Sequence, residues 1–231
     1  MVKQRIMWTI LLDIDGTLIR TRGAGLNSIQ IVMHRHFGVT ELPKLQVHGC
    51  TDVGIWTELF QKLGIQMPKD ISPLVREYCE VLKPKLAEYS GEVLSGVVDF
   101  LESLDSNPEV AAGLLTGNAQ QAAWIKMEHF GLDKYVQKFG GFGDFDANRN
   151  DVARRAFESA SAFQAAKFDP AKLWVIGDTV NDITCARSIG AKVMVVETGG
   201  SERAALEAAQ PDVLVKDLTI IDCDSSPAGF L

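Results

Sequence analysis

The stretch Trp8-Thr9-Ile10-Leu11-Leu12-Asp13-Ile14-Asp15-Gly16-Thr17-Leu18 decides the fold of this chain. Its apolar run, Met7 to Leu12, is typical of a strand that is buried on both faces of a parallel sheet. Gly16 is a turn signal just beyond that run. Asp13 and Asp15 therefore follow the carboxyl end of a predicted strand, which is where open α/β sheets bind their ligands.

These two acids favour a site for a cation and a phosphate. Two like charges beside a buried strand are costly unless a bound group compensates them, and a divalent cation would do so. A carboxylate beside bound metal and phosphate is also a plausible nucleophile in aspartyl-phosphate chemistry. An acidic turn without any ligand has the same composition, because Asp and Gly are common in turns. The rest of the chain must decide between these two interpretations.

Composition narrows the class of protein. The chain has 231 residues, enough for a core domain with a smaller insert. Its net charge is −7 and it has no basic block, which argues against nucleic-acid binding. The apolar residues 6–12 are too few for a signal peptide or a membrane span, and the four cysteines lack metal-site spacing. We expect a cytoplasmic protein with reduced thiols and no membrane or nucleic-acid partner, as a monomer or weak homodimer.

The order of predicted elements indicates an α/β fold with an insert. Residues 20–92 show a helical pattern and no convincing strand. Beyond residue 95, helices alternate with apolar runs at 110–115, 138–142, 173–176, 193–196 and 213–215. Strands that alternate with helices form a parallel sheet covered on both faces. We therefore predict a core of residues 1–19 and 95–231, with a small helical domain of residues 20–94 inserted after the first strand.

Polar residues follow two further predicted strands. Thr116-Gly117-Asn118 combines a hydroxyl with backbone N–H groups at a helix start, which can bind an anion but can equally cap the helix. Asp178 and Asp182, four residues apart at another helix start, can face one point and ligate Mg²⁺. Arg149 precedes a predicted helix and could neutralise a phosphate, with Arg154 and Arg155 as competitors.

These segments resemble, in order and spacing, the four motifs of the haloacid dehalogenase-like hydrolase superfamily. The insert is similar to the helical cap of phosphoglycolate phosphatase-like members. The resemblance implies a Rossmann-like core with the first strand central, and a Mg²⁺-dependent phosphatase that acts on a small phosphorylated metabolite. One departure is the third motif: many members have Lys followed by Pro, whereas this chain has Asn148-Arg149-Asn150.

Chemistry and resemblance together suggest a role for each residue. Asp13 is the expected nucleophile, and Asp15 the expected acid and base. The phosphate-binding candidates are Thr116, Gly117, Asn118 and Arg149. The Mg²⁺ candidates are Asp13, the Asp15 carbonyl, Asp178 and Asp182. The candidates for substrate choice in the helical insert are Arg22, His48 and Thr51.

Two other functions are compatible with the same scaffold. A phosphomutase or phosphonate hydrolase is one, but residues 47–52 carry His48 and Asp52 where sugar-phosphate mutases have basic residues. A non-catalytic binding protein is the other, because fold alone does not determine function. The acids present at each motif argue against it, since a binding protein gains nothing from uncompensated buried charge.

Overall fold

The computed structural model describes residues 7–220, which form eight strands and eight α-helices. In chain order the strands are β1 (Met7–Leu12), β2 (Ile19–Arg20), β3 (Glu92–Val93), β4 (Val110–Leu115), β5 (Gly140–Gly141), β6 (Phe168–Gly177), β7 (Lys192–Val196) and β8 (Val213–Val215). The helices are α1 (Ala24–Phe37), α2 (Asp52–Leu63), α3 (Ser72–Glu88), α4 (Val97–Ser106), α5 (Gln120–His129), α6 (Arg149–Gln164), α7 (Val180–Ser188) and α8 (Arg203–Ala208).

Six strands form one parallel sheet in the order β5-β4-β1-β6-β7-β8. Strand β1 lies inside it, between β4 and β6, as its apolar sequence predicts. Ile10 and Leu12 face the side covered by α4 and α5, whereas Leu11 faces the side covered by α6, α7 and α8. The predicted α/β fold with a parallel sheet is confirmed.

Helices α1, α2 and α3 have an apolar core of their own. Trp56, Phe60 and Leu82 are fully or almost fully buried in this core, and Ala122 and Ile125 of α5 pack against it from the sheet side. Thr51 begins α2 by accepting a hydrogen bond from the Gly54 N–H, and Gly64 ends the helix. Helix α5 therefore lies between the sheet and the three inserted helices.

A short antiparallel ribbon joins the three-helix insert to the sheet. The sequence pattern shows no convincing strand in residues 20–92, yet Arg20 pairs with Glu92 across β2 and β3. The Arg20 side chain also forms a salt bridge of 3.1 Å with Glu92. Strands of two residues are too short to show an alternating pattern, which explains why the sequence did not predict them.

Two elements begin earlier than the sequence pattern predicts. Strand β6 begins at Phe168 rather than at residue 173, and helix α6 begins at Arg149 rather than at residue 151. Helix α3 continues through Pro84. The tail from Asp222, which the sequence predicts to be loosely held, lies outside the described residues. Within residues 7–220, no helix combines the length and the apolar character that crossing a membrane requires.

We predict that Gly96→Ala destabilises the protein more than Gly64→Ala. Both glycines have left-handed backbone angles, with φ of 78° and 64°, and a side chain costs about 1–2 kcal/mol in that region. A Cβ on Gly64 meets nothing within 4 Å, whereas one on Gly96 would lie 2.2 Å from the Thr219 nitrogen. We expect Gly96→Ala to lose at least about 1 kcal/mol more in urea denaturation. Equal losses would contradict the close packing at Gly96.

Candidate active site

The carboxyl ends of three neighbouring strands bring the predicted site residues together. Asp13 follows β1, Thr116 follows β4 and Asp178 follows β6. The Asp13 N–H donates to the Ile176 carbonyl at 2.9 Å, which continues the ladder between β1 and β6 by one residue. All three side chains are buried. The parallel sheet thus places Asp13 and Asp178, which are more than 160 positions apart in sequence, next to each other.

Three buried carboxylates form an acidic cluster at this edge. Asp13, Asp178 and Asp182 each offer an oxygen, and these oxygens lie within 4.8 Å of one another. Burial and the neighbouring acids raise the pKa of Asp13 to about 7 and that of Asp178 well above its usual range. Both carboxyl groups therefore tend to take up a proton unless a cation binds beside them.

Asp182 is held by several hydrogen bonds. Its Oδ2 accepts from the Thr179 hydroxyl at 2.6 Å and from the Thr179 N–H at 3.0 Å, so that the two residues form a capping box at the start of α7. Its Oδ1 accepts a hydrogen bond from Arg149. Asp182 thus belongs to the cluster while it also caps a helix and binds a guanidinium.

Arg149 is the buried cation of the cluster. Its guanidinium is paired with Asp182 and lies 3.6 Å from the Asp13 carboxylate. Burial acts to lower the pKa of Arg149, but the carboxylates of Asp182 and Asp13 raise it overall, so the side chain is always charged. The competing candidates Arg154 and Arg155 are exposed and pair with Asp151 and Asp146 on the surface. Only the first of the three arginines therefore reaches the acids.

The donor set fits a divalent cation. Three buried carboxylates face one guanidinium, which leaves uncompensated negative charge where water is excluded. Oxygen ligands from carboxylates are those that Mg²⁺ prefers. The Thr17 hydroxyl donates to Asp178 Oδ1 at 3.1 Å and orients this carboxylate.

Sequence reasoning missed Lys126, which lies beside Asp15. Its ammonium group on α5 donates to Asp15 Oδ2 at 2.5 Å and to Asn118 Oδ1 at 2.6 Å. Asn118 in turn donates to the same Asp15 oxygen at 2.8 Å. A signal was present in the sequence, because Lys126 shares a helical spacing with Ala119, Ala122 and Ala123, which predicts the buried face of α5.

The helical insert contacts the phosphate-binding segment predicted after β4. The Asp52 N–H donates to the Gly117 carbonyl at 2.6 Å, and the Asp52 carboxylate accepts from the Ala119 N–H at 2.8 Å. A Cβ on Gly117 would lie 1.9 Å from the Cys50 carbonyl oxygen, so this approach requires glycine. Burial raises the pKa of Asp52 to about 6.

A cavity of about 420 Å³ lies between the insert and the sheet edge. Asp13, Asp15 and Arg149 form its floor, and Arg22 and His48 also line it. Thr51 is not among its lining residues, since it is buried at the start of α2. The lining also includes Asp52 and Tyr78 of the insert, neither of which the sequence analysis named as a candidate for substrate choice.

Comparison with known proteins places the chain in a family. Residues 10–196 match the family model described as haloacid dehalogenase-like hydrolase. The chain is 24% identical, over 96% of its length and 98% of the relative's, to a Dickeya dadantii (strain 3937) protein named "Probable phosphatase IndB". The protein therefore belongs to the haloacid dehalogenase-like hydrolases, and the family and enzyme class predicted from the motifs are confirmed.

Solved structures with low sequence identity share the fold. One is the haloacid dehalogenase-like family hydrolase SP0104 from Streptococcus pneumoniae, which has a TM-score of 0.63 and 21% identity, with 97% of this chain and 99% of that chain covered. Another is a candidate β-phosphoglucomutase from Thermotoga maritima, with a TM-score of 0.60 and 21% identity over 92% of this chain and 95% of that chain. The shared fold by itself does not separate hydrolysis from phosphate migration.

We predict that Asp52→Asn stabilises the protein at neutral pH relative to acidic pH. A carboxyl whose pKa rises on folding contributes stability below its unfolded pKa and loses it as the pH rises through about 6. Asparagine keeps the acceptor for the Ala119 N–H without this charge. We compare the unfolding free energy of the variant with that of the wild type at each pH. The difference, variant minus wild type, should be about 2–3 kcal/mol larger at pH 7.5 than at pH 4.

Urea denaturation at both pH values measures this difference. Asp99→Asn, on the exposed side of α4, is the control, because it changes the same chemical group away from the site. A difference for Asp52→Asn that is the same at both pH values would show that burial does not raise its pKa.

Proposed function

We propose that this enzyme is a Mg²⁺-dependent phosphatase that hydrolyses a small phosphomonoester through a phosphoaspartate on Asp13. The observation that carries the proposal is the buried cluster of Asp13, Asp178 and Asp182 beside Arg149, in which Asp13 and Arg149 line a cavity. Such a cluster combines a nucleophile, a set of metal ligands and a cation for the phosphoryl oxygens.

The residues divide the chemistry into two steps. In the first, an Asp13 oxygen attacks phosphorus and the ester bond breaks, while Asp15 gives a proton to the departing oxygen. In the second, Asp15 takes a proton from water, whose oxygen attacks the phosphorus and displaces Asp13. Thr116 and the Gly117 N–H hold the phosphoryl oxygens, and Arg149 offsets the charge that develops on them, whereas the Asn118 side chain is directed at Asp15 and Lys126.

Asp13, Asp178, Asp182 and the Asp15 carbonyl are the groups proposed to hold Mg²⁺. When bound, the ion offsets the charge of the acids and of the phosphate and polarises the phosphoryl group. The raised pKa of Asp13, at about 7, supports a need for this ion, because a protonated carboxyl is a poor nucleophile. Asp182 binds Arg149 in the described structure, which leaves Asp13 and Asp178 as the carboxylates with more freedom to coordinate.

The insert, residues 20–94, is proposed to act as a cap that selects the leaving group. It forms the wall of the cavity opposite Asp13, and closure over the sheet edge would exclude water during phosphoryl transfer. Arg22 and His48 line this cavity and remain candidates for contact with substrate, whereas Thr51 acts on it only through the position of α2.

Two polar groups of the insert have unused hydrogen-bonding capacity inside the cavity. The Tyr78 side chain is buried, and neither its hydroxyl nor Asp52 Oδ1 has a hydrogen-bond partner within residues 7–220. A donor and an acceptor that line the same cavity suit a hydroxyl group of the substrate. We therefore propose a leaving group with at least one hydroxyl.

A phosphomutase is the second candidate, and the cavity argues against it. A mutase that acts on a sugar phosphate must hold a second phosphate with basic groups. Lys126 and Arg149 are already paired with acids, and Arg20 and Arg22 both pair with Glu92. The insert also presents the Asp52 carboxylate to the cavity, and this group would repel a second phosphate. Hydrolysis is the function that these charges support best.

The first prediction from this proposal concerns the metal. Complete removal of divalent ions with EDTA should abolish phosphate release, and added Mg²⁺ should restore it. Mg²⁺ should also raise the thermal unfolding temperature of the wild type but not of Asp178→Asn, since binding to the folded state stabilises it. Asp144→Asn, outside the acidic cluster, should keep the Mg²⁺ response. Hydrolysis that survives chelation would overturn the metal assignment.

Variants of Asp13 and of Asp15 should lose activity at different steps of the reaction. Asp13→Asn removes the nucleophile, so no phosphoenzyme should form. Asp15→Asn keeps the nucleophile but lacks the proton donor and base, and turnover should fall by ~10²–10⁴-fold. Mass spectrometry of enzyme trapped with beryllium fluoride or quenched during turnover tests both claims. Covalent phosphate on a residue other than Asp13 would contradict the proposed mechanism.

Substrate choice should depend on Tyr78. Tyr78→Phe should lower kcat/KM for glycerol 1-phosphate by ~2–10-fold, the usual value of one hydrogen bond, and leave p-nitrophenyl phosphate unchanged. Tyr89→Phe, at the end of the same helix and outside the cavity lining, is the control. An equal loss of kcat/KM for both esters would show that Tyr78 stabilises the insert and does not contact the substrate.

A further inference from the structure

Lys126 is a buried charge with an unusual position. Its side chain is 5% exposed, yet the acid that it pairs with, Asp15, is 39% exposed at the cavity. A buried ion pair is weak evidence for a stabilising role, because desolvation of the charges offsets their attraction. Methionine would fill a similar volume on α5 without that cost. The lysine therefore calls for an explanation other than stability.

The contacts of Lys126 form a closed triangle of hydrogen bonds. The lysine donates to Asp15 Oδ2 at 2.5 Å and to Asn118 Oδ1 at 2.6 Å. Because Asn118 accepts from the lysine through its oxygen, its amide nitrogen faces Asp15 and donates to the same Oδ2 at 2.8 Å. That nitrogen also lies 2.8 Å from the Thr116 hydroxyl oxygen. Lys126 thus sets the orientation of both the acid and the amide.

Both donors bind one oxygen of the Asp15 carboxylate and leave the other one free. Oδ2 receives the two hydrogen bonds, whereas Oδ1 has no partner within residues 7–220. A carboxylate held through one oxygen presents the other at a defined position. Proton transfer to a leaving group needs that definition, because rates fall steeply when the reacting atoms are misplaced.

We propose that Lys126 is a positioning residue that holds Asp15 through Oδ2, with Asn118, so that Oδ1 faces the leaving group and the attacking water. This inference rests on the proposed function of Asp15 as the acid and base. Lys126 lines the cavity, but its ammonium is directed at Asp15 and Asn118, so the proposal assigns it no contact with the substrate.

Two esters with different needs for a proton test the proposal in Lys126→Met. The alkoxide of propyl phosphate is a poor leaving group that requires protonation, whereas p-nitrophenolate departs without it. We expect kcat/KM for propyl phosphate to fall by ~10²-fold and that for p-nitrophenyl phosphate by less than ~5-fold, with both KM values little changed. A rise in KM for both esters at constant kcat would show that Lys126 binds phosphate, and would overturn the proposal.

A double-mutant cycle shows whether Lys126 acts through Asp15. In the Asp15→Asn background, Lys126→Met should change kcat/KM for propyl phosphate by less than ~3-fold, because the group that it positions is already lost. A full ~10²-fold loss in that background would contradict the proposal. Lys138→Met is the matched control, since this exposed lysine also contacts α5, over the ring of Trp124, but is not one of the residues that line the cavity.

Crystal structures provide a measurement that does not depend on activity. The wild type should show Asp15 Oδ2 bound to Lys126 and Asn118, and Lys126→Met should show a rotated or disordered Asp15 carboxylate. An unchanged Asp15 in the variant would overturn the positioning role. If the wild type hydrolyses neither ester, the proposed function is wrong. The crystal structures would still show whether Lys126 positions the Asp15 carboxylate. Lys126→Gln gives the same comparisons if the methionine variant does not fold.

Discussion

Mutual repulsion among buried carboxylates is the constraint on which the rest of this structure depends. Asp13, Asp178 and Asp182 lie within 4.8 Å of one another where water is largely excluded. One buried guanidinium, that of Arg149, cannot neutralise all three. Such an arrangement is costly unless a cation binds there or the carboxyl groups take up protons, because the charges are removed from water. The parallel sheet, the capping box on Asp182 and the placement of Arg149 at the start of α6 all serve to hold this cluster.

Helix α5 links the cluster to the helical insert. The N–H of Ala119, the residue just before α5, donates to the Asp52 carboxylate of the insert. Lys126, two turns further along the helix, donates to Asp15 of the core. Ala122 and Ile125 pack into the core of the insert, while Ala123 and Met127 pack against the sheet. The same helix therefore contacts Asp15, the acid that we propose for proton transfer, and the insert, which we propose for substrate choice. A shift of the insert relative to the sheet would act on Asp15 through this helix.

Much of the fold and part of the site could be predicted from local patterns. Strand β1 was evident because a largely apolar run, Met7–Leu12, ends at an acidic turn, and the parallel sheet followed from the alternation of strands and helices. The ribbon of β2 and β3 was missed because two residues carry no periodicity. Lys126 was missed because a lysine in a helix is usually solvated, and only its partner, 111 positions away, reveals its role.

The sequence by itself determined the order of the strands and helices of the core, the position of the acids at strand ends and the class of chemistry that they support. These properties depend on residue type and spacing along the chain, which local physics can interpret. Only the tertiary structure decided that Arg149 rather than Arg154 or Arg155 reaches the acids, and that Asp52 and Tyr78 line the cavity. Those outcomes depend on which helix face packs against the sheet, and packing is a property of the whole chain rather than of any segment.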